Sequence, residues 1–353
     1  MEKHEVVIAG AGPGGLKAAK TLEEEGKEDI LLIEALPKKR IGDKFCGGMV
    51  PPRAVDLIGI PESLINTTLN KADLHIDGLT FDVPYQTRWV KRIDLGQYQL
   101  SLLKKTELRD STKVMDVEPK ENYITTLDGE RIAYNYLIDG SGFKSPIKRK
   151  LSGKRENYWQ CSGYMIKTKK QVDDAFHFYI YTDMNASLFW TLPYTDLLEV
   201  TVAYPIYGSI DKERARQHME ELAGSKDLSL NEGEPKAAPV PWDYKGFKFG
   251  NIFLLGDAAG LPSTIIGDGI YQSAKCGEMV AKTITNKGYD WERELKRDLL
   301  KHYYIGPGMW INKVYGWTNA AIKIAHLLTN KMDTKISVPE FIGKIARRIL
   351  YNW

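Results

Sequence analysis

Gly10, Gly12 and Gly15 stand in G-x-G-x-x-G spacing directly behind the apolar run Val6, Val7, Ile8 and Ala9, and Glu34 closes a second apolar run about twenty residues on. That pattern binds the phosphates of a dinucleotide. Gly10 permits a tight turn, Gly12 lets backbone approach a pyrophosphate, and Gly15 lets a helix pack on the strand. Pro13 and Gly14 open that helix, whose first N–H groups have no partner of their own and suit an anion. Glu34, followed by Ala35, accepts hydrogen bonds from a ribose. Cys46 is followed by Gly47 and Gly48. A thiol between glycines is either a small buried side chain or a group held where backbone can approach a flat ligand. Arg40 and Lys44 in the same stretch are solvated turn residues or partners of a cofactor phosphate. Gly142 in a second glycine-rich turn, the pair Gly256-Asp257, and Gly267, Gly269 and Ile270 complete the candidates, with Asp257 offering a carboxylate to cofactor hydroxyls.

The elements that must position these residues follow from pattern. Residues 35–52 carry too much Gly and Pro for any period and form a loop. A helix runs from about Gly96 to Lys105. Residues 113–117, 123–126 and 131–134 form a small meander, with Asp128-Gly129 as a hairpin turn. A buried strand leads into Asp139. Residues 160–168, 175–181, 186–192 and 197–203 are strands of an antiparallel sheet rich in aromatic residues, which is either core or the wall of an apolar tunnel. A polar helix follows at 211–222. The strand before Gly256 and a helix rich in small residues after Gly269 return to the nucleotide fold, and the rest is helical, with a break at Gly306, Pro307 and Gly308. The expected divisions are a discontinuous cofactor domain (1–70, 92–150 and 245–285), a substrate domain (71–91 and 151–244) and a C-terminal helical region (286–353).

Composition removes several classes. With 353 residues and 43% of them hydrophobic, the chain has material for a large core. Its net charge of +3 and 27% charged residues leave no basic field for nucleic acid. Cys46, Cys161 and Cys276 are far apart and odd in number, which fits a reducing cytoplasm. The six histidines fall singly, without ligand spacing, so no metal site is expected. The first strand starts close to Met1, leaving no room for a signal peptide, and no apolar run reaches the roughly 18 residues of a membrane span.

Three cofactor stretches in this order resemble the FAD-binding fold of the glutathione reductase and p-hydroxybenzoate hydroxylase type: an α/β, Rossmann-like domain with an antiparallel substrate sheet and C-terminal helices. Arg92 resembles that superfamily's arginine near FAD, although the usual acid a few positions later is replaced around Gly96. Within the superfamily, Lys44, Phe45, Cys46, Gly47 and Gly48, together with Gly256 to Gly260 and Gly267 to Tyr271, resemble the geranylgeranyl reductase family. The resemblance implies FAD as cofactor and saturation of isoprenoid double bonds. That family's substrate motif survives as Leu188, Phe189, Trp190, Thr191, Leu192 and Pro193, which keeps Trp190 and Pro193 but lacks the first aromatic residue and the later glycine pair.

The resemblance further implies that reduced flavin gives hydride from N5 to one alkene carbon while an acid protonates the other. Cys46 is the candidate beside the flavin, as acid or as a contact on the ring face, and Phe189, Trp190, Pro193 and Tyr179 are the candidates for the prenyl chain. The electron donor is NAD(P)H or a reduced carrier protein, since no second dinucleotide fingerprint is present. Two other readings share these residues. One is a flavin monooxygenase or halogenase; the other is a prenyl-binding escort protein without catalysis. Ser337 and Glu340 form a capping box before a helix whose Ile342, Ile345, Ala346, Ile349 and Trp353 share one face, opposite Lys344, Arg347 and Arg348. That helix either docks on its own domain or lies on a membrane, a peripheral contact suited to a lipid substrate.

Overall fold

A computed structural model describes residues 1–300 except 77–78, 154–156, 182, 185–186, 207–209 and 263–268; of 76, 79 and 81–85 it describes the backbone alone. Gly267, the break at Gly306 to Gly308 and the capping box at Ser337 lie outside the described residues. Two compact units emerge. One holds Met1–Ile65, Val90–Tyr158 and the described residues from Pro239 on; the other holds Asn66–Trp89 and Trp159–Ala238.

The first unit is built on a parallel sheet in the order Lys248–Phe249, Ile252–Leu254, Arg131–Asp139, Glu2–Ala9, Ile30–Ile33 and Glu107–Arg109, with the outermost hairpin antiparallel. Its central strands are apolar on both faces, as a covered parallel sheet requires: Val6, Val7, Ile8, Leu31 and Leu32 are all fully buried. Register fixes the site. Ala9 lies beside Ile33 and Asp139, and Asp139 beside Leu254, so the chain leaves all four strands at one edge, at Gly10, Glu34, Gly140 and Leu255. The meander Val114–Glu118, Tyr123–Thr126 and Arg131–Asp139 is present, and Gly129 turns the hairpin with φ +86°.

Two helices close the core beside the glycine turn. Pro13–Glu24 begins with proline, whose missing N–H costs nothing there. Against it lies Ile270–Thr285, where Gly277 has no room for a Cβ because the Gly14 carbonyl and the Ala18 nitrogen occupy that space. A third helix, Arg92–Ser101, starts four residues earlier than its sequence suggested. Gly96 sits inside it, where any side chain would strike the Ile41 carbonyl (2.6 Å) and Gly42 (2.7 Å). The loop 35–52 is not wholly irregular: it contains a 3-10 turn, Lys38–Arg40, and ends in the short strand Met49–Val50.

The second unit is a sheet in which Tyr158–Lys167, Leu197–Pro205, Leu188–Pro193 and Phe176–Ile180 follow one another antiparallel. Thr67–Ile76 and Leu79–Trp89 extend it. The first four strands pair antiparallel as expected; one further pair, Phe176–Ile180 with Thr67–Ile76, is parallel. Strand Thr67–Ile76 begins before the expected boundary at 70 and belongs to this unit. Helix Lys212–Gly224, capped by Asp211 on the Arg214 N–H, covers one face, where Phe189, Leu198, Val200, Val202, Met219 and Leu222 form a core.

Candidate functional site

The three glycines of the first turn do different work. Gly10 takes φ +99° and its missing Cβ would run into Gly140; at Gly15 it would run into the Gly10 carbonyl. At Gly12 a Cβ would meet nothing nearer than the Gly140 oxygen at 3.8 Å. Protein packing therefore demands glycine at 10 and 15, whereas at 12 it leaves a cradle that a side chain would fill. Gly14 is also fixed by packing, against Leu255 (2.5 Å) and Ser273 (2.6 Å). Pro13 is the first helical residue.

Glu34 ends the second strand half-buried, and its two oxygens accept from the backbone N–H groups of Ala11 (2.7 Å) and Leu36 (2.8 Å). The carboxylate thus ties the glycine turn to the neighbouring loop, with exposed Ala35 at its tip, and keeps further lone pairs for a hydroxyl. Asp139, fully buried, closes the adjacent strand. Its oxygens accept from the Ser141 N–H (3.0 Å) and hydroxyl (2.5 Å) and from the Ser145 hydroxyl, which shapes the turn carrying Gly142 (φ +84°). Burial pushes the Asp139 carboxyl upward despite these donors.

Around the Cys46 loop the structure gathers residues far apart in sequence. Lys44 donates to Asp257 at 2.5 Å, and the Asp257 carboxylate raises the Lys44 ammonium above its ordinary range. Cys46 and Arg92 lie close enough to act electrostatically on the same ammonium. The Cys46 thiol is exposed and accepts the Gly48 N–H at 3.5 Å, with Gly47 half-buried between them. Gly256 opens a short helix, Gly256–Ala259, that carries Asp257. A Cβ on Gly269, the residue capping Ile270–Thr285, would lie 3.8 Å from Asp257 Oδ1, so Gly269 and Ile270 sit next to that carboxylate. Arg92 is half-buried, and its Nη1 is buried without a hydrogen bond. A guanidinium nitrogen in that state awaits an acceptor. Arg40 does not join this group; it pairs with Asp43 at 2.6 Å.

In the second unit the four candidates divide between faces. Phe189, fully buried, and Tyr179, paired with it in register, lie on the face covered by Lys212–Gly224. Trp190 projects from the opposite face with Phe178, Leu192 and Thr201, as strand alternation and register require. Pro193 ends the strand. Sequence reasoning passed over Glu199, 1% exposed on the Trp190 face, which accepts from Trp190 Nε1 (2.8 Å), the Tyr194 hydroxyl (2.7 Å) and the Thr201 hydroxyl (3.0 Å). A single acid in the run Leu197, Leu198, Glu199, Val200 was the available signal. His75 and His177 also meet, 3.0 Å apart, although nothing in their spacing announces it.

Gly12's open cradle and the unpartnered Arg92 nitrogen fit a dinucleotide lying across this sheet edge. The pyridine nucleotide-disulphide oxidoreductase family model matches residues 4–175. The chloroplastic geranylgeranyl diphosphate reductase of Arabidopsis thaliana is 24% identical over 85% of this chain and 70% of its own. The digeranylgeranylglycerophospholipid reductase of Methanococcus vannielii is 24% identical over 99% of this chain and 95% of its own. Among solved structures, a geranylgeranyl bacteriochlorophyll reductase-like protein from Thermoplasma acidophilum has the same fold, with TM-score 0.73, 18% identity and 86% of each chain covered. The chain is an FAD-dependent oxidoreductase similar to the geranylgeranyl reductases.

Proposed function

We propose that this enzyme saturates carbon-carbon double bonds in the isoprenoid chain of a prenyl lipid. The observation that carries the substrate reading is the Trp190 face of the second unit. There Phe176, Phe178, Leu188, Trp190 and Leu192 form an apolar surface, and its one acid, Glu199, is fully occupied in fixing Trp190, Tyr194 and Thr201. An aromatic held rigid on an apolar face can align a chain that offers no hydrogen bonds of its own. The names of the Arabidopsis and Methanococcus relatives support the same substrate class.

FAD, when bound, supplies the hydride. Gly10, Gly12, Pro13, Gly14, Gly15, Glu34 and Ala35 would hold its ADP half, and Gly142, Gly256, Asp257, Gly267, Gly269, Ile270 and Arg92 the remainder, with Cys46 and Gly47 at the reacting end. Cys46 acts there as proton donor or as a contact that sets the substrate plane. Electrons come from NAD(P)H or a reduced carrier protein. Among the described residues no helix is long and apolar enough to cross a membrane. A peripheral contact through residues 337–353 would bring the enzyme to a lipid substrate.

The test is anaerobic incubation of the dithionite-reduced protein with geranylgeranyl lipids in vesicles, read by mass spectrometry. The expected product gains two hydrogens per bond, sediments with vesicle-bound enzyme, and forms slowly with Cys46→Ala. An oxygen-dependent product that carries added oxygen and intact double bonds would mean a monooxygenase. Full turnover by Cys46→Ala would remove that residue from the chemistry.

A further inference from the structure

The parallel register in the second unit sets Asp73 beside His177 and His75 beside Tyr179, so Asp73, His75 and His177 project from one face of the sheet. His75 Nε2 lies 3.0 Å from His177 Nδ1, and His177 Nδ1 lies 3.6 Å from Asp73 Oδ2. All three donor atoms fall within 4.8 Å of one another. Ligands about 2.0–2.1 Å from a tetrahedral zinc ion stand roughly 3.3 Å apart, between the two shorter separations seen here.

The surrounding contacts orient these donors inward. His177 Nε2 pairs with Asp173 Oδ2 at 2.9 Å, and His75 Nδ1 pairs with the Thr80 hydroxyl at 2.9 Å. With Asp173 accepting the Nε2 proton, His177 presents the Nδ1 lone pair to the cluster, the carboxylate–histidine arrangement that fixes metal-binding imidazoles. The His75 ring is held by stacking on Tyr179, centroid to centroid 4.5 Å. Asp73 is buried; the Lys71 ammonium donates to its Oδ2 at 3.2 Å, while its Oδ1 makes no hydrogen bond. The Lys71 side chain is 47% exposed, so a cation of higher charge can displace it into water.

We propose that Asp73, His75 and His177 bind a divalent transition metal ion, Zn2+ by donor type, with Asp173 orienting His177. Two imidazoles and one carboxylate favour such ions over Mg2+ or Ca2+, which take oxygen. The ion adds a cross-link between strands Thr67–Ile76 and Phe176–Ile180, which already pair in the sheet, and leaves an open coordination position for water.

Full-length flavoprotein stripped with EDTA and titrated with Co2+ tests this. One equivalent should produce intense d–d bands to the red of the flavin absorption, and Zn2+ should abolish them by displacement. His75→Gln and His177→Gln should each weaken binding at least about a hundredfold, and Asp173→Asn about ten- to a hundredfold. Lys71→Met should tighten it. Flavin content and melting of each variant report on folding. Wild-type protein that shows only the weak spectrum of hydrated Co2+ at stoichiometric metal overturns the proposal without any variant, as do bands that persist in a folded His177→Gln protein.

Discussion

Gly12 and Gly15 separate ligand binding from folding. At Gly15 an added methyl collides with the Gly10 carbonyl, a backbone atom that cannot step aside, whereas at Gly12 the methyl makes only ordinary van der Waals contact, 3.8 Å from the Gly140 oxygen. Gly15→Ala should therefore destabilise the apoprotein by about 2 kcal/mol, within the range for overpacking. Gly12→Ala, at a helix N-cap, should cost under about 1 kcal/mol yet weaken FAD binding by at least about tenfold, or 1.4 kcal/mol. Melting of the apoproteins and fluorescence titration with FAD check the pair; equal losses of stability would show that position 12 is also a packing position. Both glycines were legible because their spacing is local. The Lys44 to Asp257 pair was not, because 213 positions separate its partners and no period links them. Gly96 was read as the start of a helix and as the place where an acid is missing. In the structure glycine is required there, since the Cys46 loop's backbone crosses the helix at that point.

At the scale of elements, strands and helices were legible from apolar periodicity, but the partner of each strand was not. Alternation says that Phe176–Ile180 is a strand and is silent on its direction relative to Thr67–Ile76, so the parallel pair that joins His75 to His177 stayed hidden. The edge of the parallel sheet is held differently, by charge. Arg109 on the last strand reaches Glu2 (2.8 Å), Glu107 (3.0 Å) and Glu130 (3.2 Å). The Arg109 guanidinium, helped by His4, holds the Glu2 carboxyl down from 4.5 to about 2. A depressed carboxyl stabilises the fold fully above pH 4.5 and loses that contribution as pH falls towards 2. Because the Glu2 side chain is 34% exposed, solvent screening reduces the contribution to about 1 kcal/mol. Arg109→Met should lose this amount at pH 7 in urea unfolding. Its stability should also fall less steeply than the wild type's between pH 4.5 and 2; parallel curves would show that Glu2 is not held by Arg109.

Across the whole molecule, each unit closes a core of its own: the parallel sheet with its helices in one, and the Phe189 cluster under Lys212–Gly224 in the other. A ligand that binds one folded unit lowers the population of its open forms by mass action, about 2.7 kcal/mol at a hundred times Kd. All the FAD candidates except Gly267 fall among the described residues of the first unit, and the proposed metal ligands fall in the second. Amide hydrogen exchange should therefore resolve the two ligands. Saturating FAD should slow exchange roughly a hundredfold in Glu2–Ala9, Pro13–Glu24 and Ile270–Thr285 while leaving Lys212–Gly224 unchanged. Zn2+ should do the reverse, protecting Thr67–Ile76 and Phe176–Ile180, and His177→Gln should erase that protection alone. Uniform slowing of both units by FAD would mean that they open as one cooperative body. In that case the separation into two cores, legible in the contacts, would not govern how the molecule unfolds.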